Sequence, residues 1–143
     1  MKENFDRAMS FLRQWEGWKS DDKGDPGGFT VCGVTQRDYP DTVAALKPLS
    51  EDDAWEAAEP FYRAKFWNPC ACDDLPYPAD LIVFDTAVNM GKSFALRLPK
   101  LAGDDPQKAL LHRIARYAEL AKKHPQFLRG WLNRTLSLWE QTK

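Results

Sequence analysis

The chain has 143 residues, which predicts a single domain over residues 1–143 with room for a hydrophobic core. Its composition, 43% hydrophobic and 13% aromatic, excludes a disordered chain, and no apolar run approaches the roughly 18 residues of a membrane-spanning helix. The net charge is −1, but residues 107–143 carry eight Lys/Arg against two Asp/Glu, which is +6. Two interpretations stay open for this segment: a basic face that meets an anionic polymer, or an ordinary solvated pair of helices.

The first segment is predicted to be an amphipathic helix over residues 3–16, because apolar residues recur at spacings of three and four from Phe5 to Trp15. It has charges throughout and no continuous apolar stretch, so we expect no cleavable signal peptide and synthesis in the cytoplasm. The turn-forming run "SDDKGDPGG" follows. After it, "FTVCGVT" is rich in β-branched residues and predicts part of a small hairpin.

The rest of the chain is predicted to be helical. Ser50 with Asp53 three residues later indicates a helix start, and Pro60 should kink or split that helix. The apolar run "ADLIVFDTAVNM" is predicted to be the buried central helix by its length and alanine content, although "LIVF" alone also suits a strand. Another long helix is predicted to begin at Pro106. The predicted fold class is therefore mainly α, with a minor β-hairpin after the first helix.

The cysteines and histidines indicate neither a disulfide framework nor a metal site. Cys70 and Cys72 are too close for an ordinary structural bridge, and Cys32 completes an odd count, so all three are predicted to be thiols. His112 and His124 are far from them in sequence. We therefore expect no metal and no cofactor.

Two carboxylates and a threonine follow one another around the first turn. Glu16 stands between Trp15 and Trp18 at a helix end, Asp25 lies in the glycine-rich turn, and Thr30 comes five residues later. Glycosidic-bond hydrolysis needs a protonated carboxylic acid and a second polar group, and apolar rings favour the neutral form of an acid. On spacing alone, an ordinary helix end followed by a turn explains these residues at least as well.

Three motifs resemble those of one family. "WEGW" followed by "DPGGFTVCGVT" resembles the N-terminal signature of the phage N-acetylmuramidases of glycoside hydrolase family 108, in which E-G-G precedes D-P-G-G-x-T-x-x-G-I-T. "FDTAVNMG" resembles the family's central D-x-x-V-N-x-G helix, and "HPQFLRGWLNRT" resembles its F-x-x-G-W-x-x-R segment. The three motifs occur in the family's order and span nearly the whole chain.

The resemblance implies a lysozyme-like fold and cleavage of the β-1,4 bond between N-acetylmuramic acid and N-acetylglucosamine in peptidoglycan. It places the catalytic glutamate on Glu16, with Asp25 and Thr30 as the second and third catalytic residues. The spacing to Thr30 is one residue shorter than in the wider group of phage lysozymes. A D-G-x-x-G-x-x-T element, associated with peptidoglycan binding in many relatives, does not occur here, where "MGKSFALRLPKLAGDDPQ" passes its place.

Five further residues are predicted to contact substrate. Trp18, which replaces the second glycine of E-G-G, is the best aromatic platform, and Gly27 and Gly28 would let the loop approach the sugar. Asp85 and Asn89 lie four residues apart on the central helix and could hold N-acetyl groups. Capping or internal hydrogen bonding explains this last pair equally well.

The sequence therefore predicts an endolysin of phage or prophage origin, bacteriolytic and monomeric, with peptidoglycan as its partner. We expect no nucleic-acid partner and no stable membrane insertion, so a holin or other secretion partner would release the protein to act on the wall in the periplasm. Three alternatives stay open: a non-catalytic wall-binding or morphogenetic protein, a chitin-active glycosidase, and a lytic transglycosylase. A retaining or an inverting outcome depends on the carboxylate separation.

Overall fold

The computed structural model describes residues 2–21 and 27–143 of the chain, which are mainly helical with one small antiparallel sheet. The chain divides into two compact units. We call Asp6–Lys65 the N-terminal unit, and Phe66–Lys143 together with the first residues through Phe5 the C-terminal unit. The single domain over residues 1–143 stays a prediction.

The N-terminal unit packs helices around the sheet. Helix α1 buries Ala8, Met9, Phe11 and Leu12 along one face, as its apolar spacing predicts. In chain order, the elements are α1 (Lys2–Glu16), β1 (Lys19–Ser20), β2 (Thr30–Val31), β3 (Val34–Thr35), α2 (Pro40–Leu46) and α3 (Glu51–Tyr62), followed by a π-helical turn at Arg63–Trp67.

The sheet has the order β1-β2-β3, with both pairs antiparallel. Its β2–β3 hairpin confirms the predicted hairpin after the first helix, but "FTVCGVT" forms both strands and not one half of it. Cys32 and Gly33 form the two-residue turn with φ of 50° and 76°. Positive φ at both turn residues is the geometry that matches the twist of a tight hairpin. Strand β1 was not predicted, because the dipeptide Lys19–Ser20 has no β-forming signature of its own.

Helix α3 begins as predicted and continues through its proline. The Ser50 hydroxyl accepts a hydrogen bond from the Asp53 backbone N–H at 3.3 Å, which caps the helix. Of the two predicted effects of Pro60, a split of the helix is wrong, and a kink stays a prediction. A proline removes a single backbone donor, and here the chain stays helical and passes into the π-helical turn, whose first residue, Arg63, donates to the carbonyls of Glu59 and Pro60.

The C-terminal unit is organised around a buried helix. All residues from Asp80 to Ala87 of α4 are buried, so "LIVF" belongs to a helix enclosed on every side and the strand alternative is wrong. The α-helices are α4 (Ala79–Met90), α5 (Lys92–Ala95), α6 (Leu98–Ala102), α7 (Pro106–Ala121) and α8 (Leu128–Gln141), with short 3₁₀ segments at Cys72–Asp74 and Pro125–Phe127. None of the helices in the described residues is long and apolar enough to cross a membrane.

The three cysteines are buried thiols, in agreement with the sequence prediction. Burial raises the pKa of Cys32 to about 11 and also raises the pKa values of Cys70 and Cys72. Because the thiolate is the reactive form, these thiols are poor nucleophiles near neutral pH.

Candidate active site

Glu16 is the last residue of α1, and the chain turns directly after it. Gly17 adopts φ of 63°, the left-handed conformation that ends many helices. The carbonyl of Trp18 then accepts a hydrogen bond from the Cys32 backbone N–H at 2.6 Å. The segment that follows Glu16 is therefore fixed to the hairpin turn.

The hairpin approaches Glu16 closely at Gly33. A Cβ atom on Gly33 would lie 3.1 Å from both Cβ and Cγ of Glu16, and 2.5 Å from the Tyr62 hydroxyl oxygen. That hydroxyl donates a hydrogen bond to the Cys32 carbonyl at 2.6 Å. Gly33 thus allows the end of α1, the hairpin turn and α3 to meet, and Glu16 is half-buried beside them.

Thr30 lies on the same hairpin. It is half-buried on β2, directly opposite Ser20 on β1 and Thr35 on β3. Opposed residues of antiparallel strands share a face, so three hydroxyl side chains form a row across the sheet. Thr35 donates to the Asp38 carboxylate at 3.0 Å. Asp25, the predicted second carboxylate, lies outside the described residues.

The two predicted loop glycines differ in their surroundings. Gly27 is buried, and its carbonyl accepts a hydrogen bond from the Arg37 backbone N–H at 3.2 Å. Gly28 is exposed and has φ of 71°, and no other part of the described chain lies within 4 Å of where a Cβ would point. Of the two, Gly28 offers backbone accessible to a ligand.

Trp18 carries a cation on its ring. The Lys19 ammonium nitrogen lies 4.5 Å from the ring centroid and donates to the Lys47 carbonyl at 3.0 Å. The buried indole N–H groups of Trp15, Trp18 and Trp55 find no hydrogen-bond acceptor in the described part of the chain. A buried donor without an acceptor is destabilising, and ordered water is the usual compensation.

Asp85 is a buried charge with two cationic partners in the C-terminal unit. Its carboxylate accepts from Arg134 at 2.6 and 3.1 Å and pairs with Arg113 at 2.7 Å. Burial by itself would raise the pKa of Asp85, but the two guanidinium groups hold it below the usual value. Arg134 belongs to the "GWLNR" motif, whereas Arg113 belongs to none of the three family motifs.

Asn89 belongs to the same buried network. Its side-chain oxygen accepts a short hydrogen bond from the Tyr117 hydroxyl, which in turn accepts from Arg113. Tyr117 is also absent from the predicted site residues, although Arg113 and Tyr117 have the four-residue spacing that brings helical side chains together. Among the described residues, no group of three or more His, Cys, Asp or Glu side chains could hold a metal ion.

The fold and this arrangement define a class: a lysozyme-like protein with a glutamate at the end of its first helix, packed against a small hairpin. A profile of the family described as Glycosyl hydrolase 108 matches residues 9–91, more than half of the chain, and the chain belongs to that family. It is therefore a glycoside hydrolase, of the lysozyme-like kind that degrades peptidoglycan. The matched residues include every predicted site residue from Glu16 to Asn89.

One solved structure resembles nearly the whole chain. It is described as "Structure of Brucella abortus SagA" and has a TM-score of 0.70 and 27% sequence identity, with 96% of this chain and 92% of that chain covered. The likeness therefore extends beyond the family match and covers the C-terminal helices as well. No curated protein matches the sequence significantly.

Proposed function

We propose that the protein is an N-acetylmuramidase that cleaves the β-1,4 bond between N-acetylmuramic acid and N-acetylglucosamine, with Glu16 as the general acid. The observation that supports this role is the placement of Glu16, half-buried at the end of α1 and packed against Gly33 of the hairpin turn. A carboxylic acid held by a helix end and a tight turn has a fixed position, which general acid catalysis requires.

In the proposed mechanism, Glu16 protonates the glycosidic oxygen as the bond breaks, and positive charge develops on the sugar ring. Asp25 is the second carboxylate, which stabilises that charge or activates water, and Thr30 positions the water. The anomer of the product reports the separation of the two carboxyl groups, because inversion needs about 6.5–9.5 Å and retention about 5–5.5 Å. Proton NMR of fresh product distinguishes the two.

Substrate contacts are proposed for Trp18, Gly28 and Asn89, and the buried Gly27 is proposed to support Gly28 in the same loop. Trp18 supports this proposal by its position two residues after Glu16, and Gly28 by its exposed backbone. Asp85 is proposed to have a structural role and no contact with sugar, because its carboxylate is fully buried between Arg113 and Arg134. Its two ion pairs hold α4 against α7 and α8.

The proposed biological setting is a phage or prophage lysis system, with the protein acting as a monomer. It would be released to the wall by a holin or another secretion partner. Release of wall fragments after co-expression with and without a holin tests this setting.

The decisive experiment is reducing-end release from purified peptidoglycan by the parent and by Glu16→Gln. We expect the variant to lose at least about 10²–10⁴-fold in rate, the usual contribution of a general acid. Glu56→Gln, which changes an exposed glutamate on α3 of the same unit, is the control and should keep full activity. A folded Glu16→Gln protein that keeps more than a tenth of the rate would remove Glu16 from the acid role.

The same assay separates the alternatives. Anhydro products, identified by mass, would indicate a lytic transglycosylase. Binding of sacculi without release of reducing ends would indicate a wall-binding or morphogenetic protein, and faster cleavage of chitin oligomers than of peptidoglycan would indicate a chitinase-like enzyme.

A further inference from the structure

The side-chain amide of Asn89 has only one orientation that satisfies its neighbours. Its partner is the Tyr117 hydroxyl, which lies within hydrogen-bond distance of two nitrogens of Arg113, Nε at 3.2 Å and Nη2 at 2.9 Å. A guanidinium group can only donate, so both N–H groups use the lone pairs of the hydroxyl oxygen. The single hydroxyl proton is therefore left for Asn89, and the atom that receives it is the amide oxygen.

Both neighbours are themselves immobilised. Arg113 is fully buried, pairs with Asp85 at 2.7 Å and donates to the Thr86 hydroxyl at 3.1 Å. The ring of Tyr117 stacks on Trp131 with centroids 5.0 Å apart and planes 13° apart. The network therefore holds the Tyr117 hydroxyl in one place with one proton direction.

The Asn89 amide nitrogen is left as an available donor. It has no acceptor among the described residues, and it is not one of the buried nitrogens that lack a partner. The residue as a whole is half-buried at the last turn of α4. A half-buried amide with its oxygen occupied and its nitrogen accessible can donate to a ligand and cannot accept from one.

We propose that Arg113 and Tyr117 are positioning residues that fix Asn89 as a donor for the carbonyl oxygen of an N-acetyl group on the bound glycan. This inference rests on the proposed function, because it takes an N-acetylated glycan as the substrate. It adds a basis for selecting 2-acetamido sugars over 2-amino sugars. A 2-amino sugar presents an ammonium group at that position, and a fixed donor rejects a cation.

The test exchanges the donor for an acceptor. Asn89→Asp keeps the side-chain shape and still accepts from Tyr117, but it cannot donate. Binding is measured by NMR titration of a peptidoglycan tetrasaccharide, and of the same tetrasaccharide after removal of its N-acetyl groups, to the Glu16→Gln protein with and without Asn89→Asp. We expect the variant to bind the acetylated glycan about tenfold more weakly and the deacetylated, cationic glycan at least as well.

Tyr117→Phe tests the positioning role. It keeps the ring on Trp131 but removes the hydroxyl, so the Asn89 amide is free to rotate. We expect KM for acetylated glycan to rise several-fold with kcat nearly unchanged. In an Asn89→Ala background the same substitution should have no further effect on KM, because there is no amide left to orient. Thermal unfolding of each variant shows whether it is folded under assay conditions.

Equal weakening of both glycans by Asn89→Asp, or no weakening of either, would overturn the inference. An undiminished effect of Tyr117→Phe in the Asn89→Ala background would overturn the positioning role even if Asn89 binds the sugar. These outcomes differ from failure of the proposed function, which is seen as unchanged reducing-end release by Glu16→Gln and as cleavage of the tetrasaccharide during the titration.

Discussion

Gly33 is the residue of the hairpin turn that packs against the candidate acid, Glu16. It combines a positive φ of 76° with close neighbours on two sides, Glu16 and Tyr62. Either property alone would favour glycine, but only the close approach depends on Glu16 and Tyr62. The effect of backbone strain and the effect of close approach can therefore be separated by comparing two glycines.

We expect Gly33→Ala to lower the free energy of unfolding by about 2–4 kcal/mol, the sum of roughly 1 kcal/mol for strain at positive φ and 1–3 kcal/mol for overpacking. The new Cβ would lie 2.5 Å from the Tyr62 hydroxyl and would press on Glu16, so activity should fall as well. Gly28→Ala is the matched control: φ is 71°, but no atom of residues 2–21 or 27–143 lies within 4 Å of its Cβ position. Urea denaturation of both variants gives the comparison, and equal losses would show that the close approach has no energetic weight.

The second carboxylate and the threonine also make separate predictions at this scale. If Asp25 shares the chemistry, Asp25→Asn should reduce kcat more than Thr30→Val does, because a neutral amide cannot stabilise a developing positive charge. Asparagine suits a turn almost as well as aspartate, so a turn role predicts little change. Parent-like kcat in Asp25→Asn would favour a mechanism with Glu16 as the only catalytic acid.

At the scale of elements, the helices that have a local sequence signal could be predicted. The structure confirms α1, predicted from its apolar spacing, α3, predicted from the Ser50 cap, and α4, predicted from its length. Strand β1 and the π-helical turn after Pro60 could not be predicted, since both depend on partners distant in sequence or on tertiary packing. The same is true of the site: Glu16 and Thr30 could be chosen from local motifs, whereas Arg113 and Tyr117 become meaningful only when α7 packs beside α4.

The buried Asp85 cluster links three helices, α4 through Asp85, α7 through Arg113 and α8 through Arg134. We expect Asp85→Asn to lower the free energy of unfolding by about 3–5 kcal/mol at pH 7, because it leaves two buried guanidinium groups without their counter-charge. The pKa of Asp85 is lower in the folded protein than the value of about 3.9 in an unfolded chain. Its stabilisation is therefore complete above about pH 4 and is lost as the pH falls through the folded value.

Denaturation curves between pH 7 and pH 3 check this direction. The difference in free energy of unfolding between the parent and Asp85→Asn should become smaller toward pH 3. Asp80→Asn is the opposite control. Burial raises the pKa of Asp80, only partly offset by hydrogen bonds from the Leu81 N–H and Asn4, so its contribution to stability grows as the pH falls. If the difference in free energy of unfolding from the parent changed in the same direction with pH for both variants, the opposite pKa shifts of Asp85 and Asp80 would be contradicted.

At the scale of the whole molecule, the excess positive charge of residues 107–143 is smaller at the surface than the sequence suggests. Of its eight cationic side chains, Arg113 and Arg134 are buried against Asp85. The other six and both acidic side chains are exposed, which leaves a net surface charge of +4 on residues 107–143. This surface is the one that would attract the carboxylates of peptidoglycan stem peptides.

Such attraction between exposed charges should weaken with salt, because the screening length falls from about 10 Å at 0.1 M to about 3 Å at 1 M. We expect binding to sacculi and lysis to fall over this range, while cleavage of a short soluble glycan stays nearly constant.

Replacing Lys122, Lys123 and Arg129 with Gln should flatten the salt dependence of binding and lysis. These side chains are exposed, so the fold and the chemistry at Glu16 should be unaffected. The matched control replaces the exposed Lys92 of α5, Lys100 of α6 and Arg97 between these helices, which removes the same charge from outside the segment. Sedimentation of sacculi with bound protein measures both triple variants against the parent. A position-specific basic face requires a flatter salt slope in the first variant than in the second, and equal slopes would mean that only the net charge of the chain matters.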